Sequence, residues 1–328
     1  MGIKSLTQTI KKYSPDTINN ENLYKLSGKK VAVDASLIIY KQLHNKGKVL
    51  TNSSGKVTSH IIGLFYKIMN YISLNIDLIF IFDGKPPINK QECINERKEK
   101  IRKNIEKANE CDNEEDKKKL LKSAIRITPE MINDTKYLLK LMGISYIHPN
   151  GEAEAYASDF CRKGYVDYVL TEDMDTLPYG CPKLIRDCID SSLRRKDIVS
   201  IFTYDKLTKD LEITHEQFVE FCILCGCDYC PQVPKIGNIT ALKLIKKYKN
   251  IESIIENTKY IFPDNYLEKF KLANENFFIF RDKIIINDII VTKNIKDING
   301  LKNYLINDIG MNNKRVQNTL KKYHNKYK

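Results

Sequence analysis

Three short apolar runs in this chain each end on carboxylates. "VAVD" closes on Asp34, "DLIFIFD" closes on Asp83, and "VDYVL" runs into "TEDMD", which crowds Glu172, Asp173 and Asp175 within four residues. Short runs rich in β-branched and aromatic residues, with turn or helix signals at their ends, read as strands buried on both faces. A further short run, "ISYIHP", precedes "GEAEAYASDFCRKG", which has a helical pattern. Helical periodicity also marks "TSHIIGLFYKIMNYI" from about Thr58 and "TPEMINDTKYLLKLMG", with Gly143 as its C-cap. Strands alternating with helices predict an α/β fold, a mainly parallel twisted sheet flanked by helices. Beyond Thr214 the pattern is mostly helical.

In an open parallel sheet the carboxyl ends of the strands share one edge, and sites form beyond it. That edge collects Asp34, Asp83, Asp173 and Asp175. Glu152 and Glu154 open the helix after the third run, and Asp228 follows Gly226 at the end of "FVEFCILCG". Residues two apart on a helix point roughly 200° apart. Both glutamates reach one site only if they occupy the irregular helix start. A single strand-end acid is usually a helix or turn cap. Seven converging acids would repel one another strongly, and divalent cations are their natural partners. An all-oxygen set suits Mg²⁺ or Mn²⁺ better than zinc. Two such ions can lower the pKa of an attacking water and stabilise both oxygens of an in-line phosphate displacement.

The surrounding charge points the same way. There are 54 Lys+Arg against 41 Asp+Glu, a formal charge of +13, which favours a polyanionic partner, nucleic acid before membrane. The start "MGIKSL" lacks a signal-peptide core, and Leu6 stands where myristoylation wants Ser or Thr. No apolar run approaches the ~20 residues of a membrane span. Nine cysteines in such a context read as reduced intracellular thiols. Four of them, in "CILCGCDYC", have the look of a metal cluster. Cys222 and Cys225, however, fall in a helical pattern with Phe218, Phe221 and Leu224, which favours packing. The five histidines are scattered, and no internal repeat is present.

Taken together, "MGIKSL", "VAVDASLIIY", "TSHIIGLFY", "FDGKPP", "LLKLMGISYI", "GEAEAYA", "TEDMDTL" and "FVEFCILCGCDYC" resemble the flap endonuclease family of structure-specific five-prime nucleases. They occur in family order over essentially the whole chain, to about Tyr323. The resemblance implies a PIN-like nuclease core with a helical arch and a helical duplex-binding region. It implies two Mg²⁺ ions, with Mn²⁺ able to substitute, held by Asp34, Asp83, Glu152, Glu154, Asp173, Asp175 and Asp228. It carries the family's basic pair onto Lys90 and Arg97, seven residues apart and so on one helix face, and the base-stacking aromatic onto Tyr40. Further DNA contacts are expected at Gly2, Glu152, Gly237, Lys243 and Lys246. Between Asp83 and Glu152 the interval is short enough for a two-helix arch and no long insert, and its charged runs from Asn89 to about Ile127 have little to bury.

The expected organisation is 1–105 for an N-terminal nuclease region with the start of the arch, and 106–130 for its remainder. Residues 131–260 form an internal nuclease region with a helix–hairpin–helix element near 226–250, and 261–328 a C-terminal helical extension. The hairpin departs from the family pattern. Lys235 replaces a Gly, Asn238 a Pro, and Ile239 and Thr240 stand at positions usually basic, which leaves its monovalent cation in question. The usual basic tail is not expected after "RVQNTLKKYHNKYK". Gln317, Leu320 and Tyr323 match three anchors of a sliding-clamp motif, but His324 replaces the fourth. Val316, Leu320 and Tyr323 also have the spacing of a packed helix face, so no complete clamp motif is expected. The expected activity is cleavage of five-prime flaps on branched DNA, by a monomer, at intracellular sites of DNA replication: the nucleus in a eukaryote, or the host cell's replication site for a virus. The alternatives are a five-prime exonuclease or gap endonuclease, and a catalytically silent DNA-binding scaffold. Against the scaffold, mere binding would favour loss of buried repulsive acids.

Overall fold

The computed structural model describes residues 2–44, 49–193, 195, 197–283 and 294–324. Its centre is a seven-stranded sheet in the order β1-β7-β6-β5-β2-β3-β4. The strands are β1 (Ile18–Asn22), β2 (Lys30–Asp34), β3 (Asp77–Ile81), β4 (Ser145–Ile147), β5 (Tyr168–Leu170), β6 (Lys183–Asp187) and β7 (Ile198–Thr203). From β6 to β4 every neighbouring pair is parallel, whereas β7 runs antiparallel to both β6 and β1. The sheet is thus mainly parallel, as the apolar runs predict. The antiparallel edge is not legible in the same way, because β1 is "INNEN", a polar edge strand held through its backbone bonds to β7.

Each parallel strand sends alternate side chains to opposite faces. In β2, Val31 and Val33 join one buried cluster and Ala32 the other. The first face is covered by α2 (Ala35–His44), α3 (Ser59–Ser73) and α6 (Pro129–Met142), whose Ile39, Phe65 and Leu138 are fully buried. Val316 and Leu320 of α14 (Asn313–His324) pack on the same face. Gly143 closes α6 in the left-handed conformation. The second face carries α1 (Leu6–Tyr13), α7 (Ala153–Arg162), α8 (Tyr204–Leu211), α9 (His215–Cys225), α10 (Asn238–Tyr248), α11 (Ile251–Asn257) and α12 (Tyr266–Lys283). Helix α9 is buried nearly all round, and Cys222, Cys225 and Cys230 lie in this core as small hydrophobes. α13 (Ile298–Asn303) contributes Leu301 to the first face.

Two helices stand apart from both layers. α4 (Gln91–Asn109) and α5 (Glu114–Ser123) together bury one side chain, Ala108. They are joined to each other by bonds such as Asn104 Nδ2 to Ser123 Oγ (2.9 Å). This is the sparsely buried arch that the charged composition of Asn89–Ile127 predicts.

The chain passes from β2 outward to β3 and β4, then crosses back to place β5 and β6 on the other side of β2. The strand order therefore reverses between β2 and β5, and a crevice opens beyond their carboxyl ends.

Candidate active site

Asp34 ends β2 at this crevice, and the "TEDMD" turn follows β5 beside it. Thr171 joins the two: its hydroxyl donates to Asp34 Oδ2 (2.9 Å) and accepts from the Asp173 amide (3.1 Å). Asp173 in turn accepts the Asp175 amide (3.0 Å), which winds the turn and brings both carboxylates inward. Because the backbone leaving β5 is extended, successive residues alternate sides. Glu172 accordingly points away, to Lys41 (2.6 Å) and Arg186 (3.2 Å), and does not join the cluster. The two acids of the turn expected at the site, Asp173 and Asp175, are the two that face it.

Asp83 and Asp34 both cap helices as well. Asp83 Oδ1 accepts from the Ala153 amide at the first turn of α7 (3.0 Å), and Asp34 Oδ1 accepts from the Leu37 amide (3.0 Å). Capping and clustering are compatible, since each carboxylate oxygen has more than one lone pair to offer. The Asp83 loop reaches α7 because Gly84 lets the backbones touch. Its amide donates to the Gly151 carbonyl (2.8 Å), and a Cβ there would fall 2.0 Å from the Pro149 carbonyl. Glu152 is the N-cap residue of α7 and Glu154 lies in its first turn, the irregular start that both need to reach one site.

Burial and the neighbouring carboxylates hold Asp34, Glu152, Glu154, Asp173 and Asp175 toward their protonated forms. Burial and the Asp83 charge push Asp34 up to about 7. Burial raises Glu154 well above the carboxylate range, with Asp34, Asp83 and Asp173 adding to it. Asp175 is raised well above its range by burial and by Asp173 and Asp228. Glu152 and Asp173 are raised too, burial being the main cause in each. The seven predicted acids thus form one electrostatically connected group around the crevice.

Two cations face them from the base of the arch. The Lys90 ammonium contacts Glu152 Oε1 and lies 3.3 Å from Asp228 Oδ2, and Arg97 contacts Asp228 Oδ1. Lys90 sits in a short turn just before α4 and Arg97 within it, yet both point the same way, as their spacing predicts. Burial opposes the Lys90 charge, but Glu152, Glu154 and Asp228 outweigh it and keep the ammonium protonated. Among the described residues no three His, Cys, Asp or Glu side chains close into a ready-made metal cage; Lys90 and Arg97 take the acceptors of Glu152 and Asp228 instead. An excess of buried carboxylate oxygen is nonetheless the donor set that suits Mg²⁺ or Mn²⁺, and the one thiol against it among the described residues, Cys93, touches Asp228 alone of the seven acids (3.7 Å).

Gly2 backs onto the same acids. It has φ 79°, and the following Ile3 amide donates to Asp175 Oδ1 (2.8 Å). From there the amino-terminal segment runs to the hairpin, where Lys4 meets Gln232 (3.4 Å) and the Asn238 amide group donates to Thr9 Oγ1 (2.6 Å). Gly237 caps α10, and a Cβ on it would meet nothing within 4 Å, so this face is open. Lys235, at the position where the family has Gly, takes φ 67°. Lys243 is exposed, whereas Lys246 pairs with Glu212 (3.0 Å). Tyr40 stands on α2, its ring 4.0 Å from that of His44, and His44 also contacts the Lys122 carbonyl at the end of α5 (3.1 Å). The residues not foreseen are Thr171, Tyr179 and Tyr229. The two tyrosine hydroxyls lie against Glu152.

The XPG N-terminal domain matches residues 1–104 and the XPG I-region matches residues 143–228. Flap endonuclease 1 of Glycine max is 35% identical over 334 residues, covering 98% of this chain and 86% of the relative. That of Entamoeba histolytica is also 35% identical over 334 residues, covering 99% and 88%. Among solved structures, flap endonuclease-1 from Methanococcus jannaschii superposes with a TM-score of 0.71 at 27% identity, covering 94% of this chain and 96% of that one. The catalytic core of Rad2 in complex with DNA substrate gives 0.74 at 21% identity, covering 98% and 100%, a likeness of fold. With near-complete coverage at this identity, and with the acids at the crevice where the family motifs lie, the chain belongs to the flap endonuclease family.

Proposed function

We propose that the protein is a structure-specific DNA endonuclease that removes five-prime flaps near the junction of single and double strand, with five-prime exonuclease side activity, in replication and repair. The observation that carries this reading is the single group of seven carboxylates at the sheet's switch point, faced by Lys90 and Arg97. When bound there, two Mg²⁺ ions (or Mn²⁺) supply Lewis-acid activation of water and neutralise charge on the phosphate. Asp34, Asp83, Glu152, Glu154, Asp173, Asp175 and Asp228 are the residues to hold them.

The chain's own residues do the rest. Lys90 and Arg97 are poised to leave their carboxylate partners and offset the charge that grows on the scissile phosphate. Water attacks phosphorus in line, the bond to the three-prime oxygen breaks, and the products carry a five-prime phosphate and a three-prime hydroxyl. The arch, with its exposed Lys98, Lys100 and Lys103, suits the displaced single strand. The open face at Gly237 and the exposed Lys243 suit the phosphates of the duplex. Tyr40 is placed on the helix leaving β2 for a base near the cut. The protein is proposed to act as a monomer inside the cell at replicating DNA. No clamp contact is assigned, since Val316 and Leu320 are buried.

The test is cleavage of flap, nick, gap and hairpin substrates with and without Mg²⁺, by the wild type and by Asp175→Ala. The variant should lose cleavage while binding flaps within about threefold of wild type, because a lost carboxylate weakens metal chemistry and not phosphate contacts. Residual cleavage at a tenth of the normal rate would overturn the metal assignment. A preference for gaps or ends over flaps would favour the exonuclease reading, and metal-independent binding with no cleavage would favour the scaffold.

A further inference from the structure

Glu152 is engaged through both of its oxygens, and two of its partners are tyrosine hydroxyls. Oε1 faces Lys90, and Oε2 lies against the hydroxyls of Tyr229 and Tyr179, the latter at 3.2 Å. The two hydroxyls lie 2.7 Å from each other. Two phenol protons must serve three contacts. The separations favour a chain in which Tyr179 donates to Tyr229 and Tyr229 donates to Glu152. Such chains strengthen cooperatively in a dry interior, and both rings are dry, at 2% and 5% exposed.

The rings are held as firmly as the hydroxyls. Phe277 of α12 packs on both, with centroids 4.9 Å from Tyr179 and 5.4 Å from Tyr229. Tyr229 also presents its face to the Lys90 ammonium, 5.7 Å from the ring centroid. Its chain neighbour Asp228 lies 3.3 Å from the same ammonium. One ring therefore touches both members of the Lys90–Glu152 pair.

We propose that Tyr229, backed by Tyr179, is a positioning residue. It orients Glu152 so that only Oε1 is offered to the crevice, and its ring keeps Lys90 at the crevice edge, from which the ammonium turns to the phosphate. This rests on the nuclease reading above. A carboxylate left free to rotate would present either oxygen and would lose its register with Lys90. Outer partners of metal-site ligands typically matter by about 10–100-fold in affinity or activity.

The experiment compares Tyr229→Phe and Tyr179→Phe, which remove one hydroxyl each and keep the ring. Four quantities are measured: Mg²⁺ binding to the DNA-free protein by calorimetry, flap affinity by anisotropy in Ca²⁺, single-turnover cleavage, and melting temperature. Tyr229→Phe should lower the single-turnover rate by about tenfold or more and weaken Mg²⁺ binding severalfold, with flap affinity within about threefold. Tyr179→Phe should do the same more weakly. In a Glu152→Gln background, Tyr229→Phe should add little, because the two act through one contact. A lower melting temperature with unchanged rate and Mg²⁺ affinity would overturn the proposal, as would full additivity with Glu152→Gln. A wild type that binds Mg²⁺ yet cleaves no flap would refute the nuclease reading, and the binding data would still judge the tyrosines.

Discussion

Gly2 lies so close to Asp173 that a Cβ added to it would fall 2.1 Å from Asp173 Oδ1, and 2.7 Å from Asp175 Oδ1. The amino-terminal segment is therefore a wall of the site. Gly2→Ala must push these carboxylates aside and must also place a side chain at φ 79°, where L-residues are strained. Displacements of about 1 Å in a catalytic group can lower rates on the order of a hundredfold. Single-turnover cleavage by Gly2→Ala should fall by at least that order, while the melting temperature shifts by only a few degrees. Near-normal cleavage would show that the acids tolerate the displacement.

Lys90→Ala and Arg97→Ala should each slow single-turnover cleavage by at least about tenfold, equivalent to ~1.4 kcal/mol of transition-state stabilisation. Lys98 and Lys100, on the same arch but exposed, provide the comparison. Their alanine variants should affect flap affinity and its salt dependence more than the chemical step. Equal losses at all four positions would reduce the pair to generic positive charge.

A pH test lies outside the site, at Glu220 of α9. Burial pushes this carboxyl up to about 7, against the pull of the Ile251 amide, with Glu252 adding to the rise. Its folded pKa exceeds the unfolded one, so the folded state holds the proton longer. The penalty is absent below about 4.5, grows as the pH rises toward 7, and is constant above that. Glu220→Gln should therefore melt several degrees higher than wild type at pH 8, with the gap closing toward pH 5. A gap that does not change with pH would show that Glu220 is ionised throughout.

Leu320 is 6% exposed on the first face of the sheet. Leu320→Ala should destabilise by roughly 2–4 kcal/mol, as core truncations do, and lower the melting temperature by several degrees. Stimulation by a sliding clamp, measured per folded molecule, should not change. Normal melting with a lost clamp response would make this stretch a docking site. The Tyr323 side chain, which completes the expected face, lies outside the described residues.

What could be read in advance follows the range of the interactions. The acids were legible because strand ends announce themselves locally, by an apolar run stopping on a charge. Lys90 and Arg97 were carried over from the family resemblance, and their seven-residue spacing added a shared face. Tyr179 and Tyr229 carried no such mark. Their meaning comes from Glu152, 27 and 77 residues away along the chain. Glu172 shares the local signal with Asp173, and the alternation of an extended backbone turns it instead to Lys41 and Arg186. The antiparallel edge was hidden because β1 contributes backbone bonds and hardly any core.

The reversal of strand order between β2 and β5 also bears on how the protein is made. The hydrogen bond from Thr171 to Asp34 spans 137 residues, and β1 finds its partner only when β7 has been synthesised. Such long-range pairing is slow to form, since the loops must close before any contact rewards them. While the ribosome is still short of Tyr168, strand β2 is without its β5 neighbour and presents an open apolar edge. A growing chain in that state is prone to stick to other strands. The same delay keeps Asp173, Asp175 and Asp228 out of the crevice until the sheet is complete, so a partly made chain has no assembled site with which to cut.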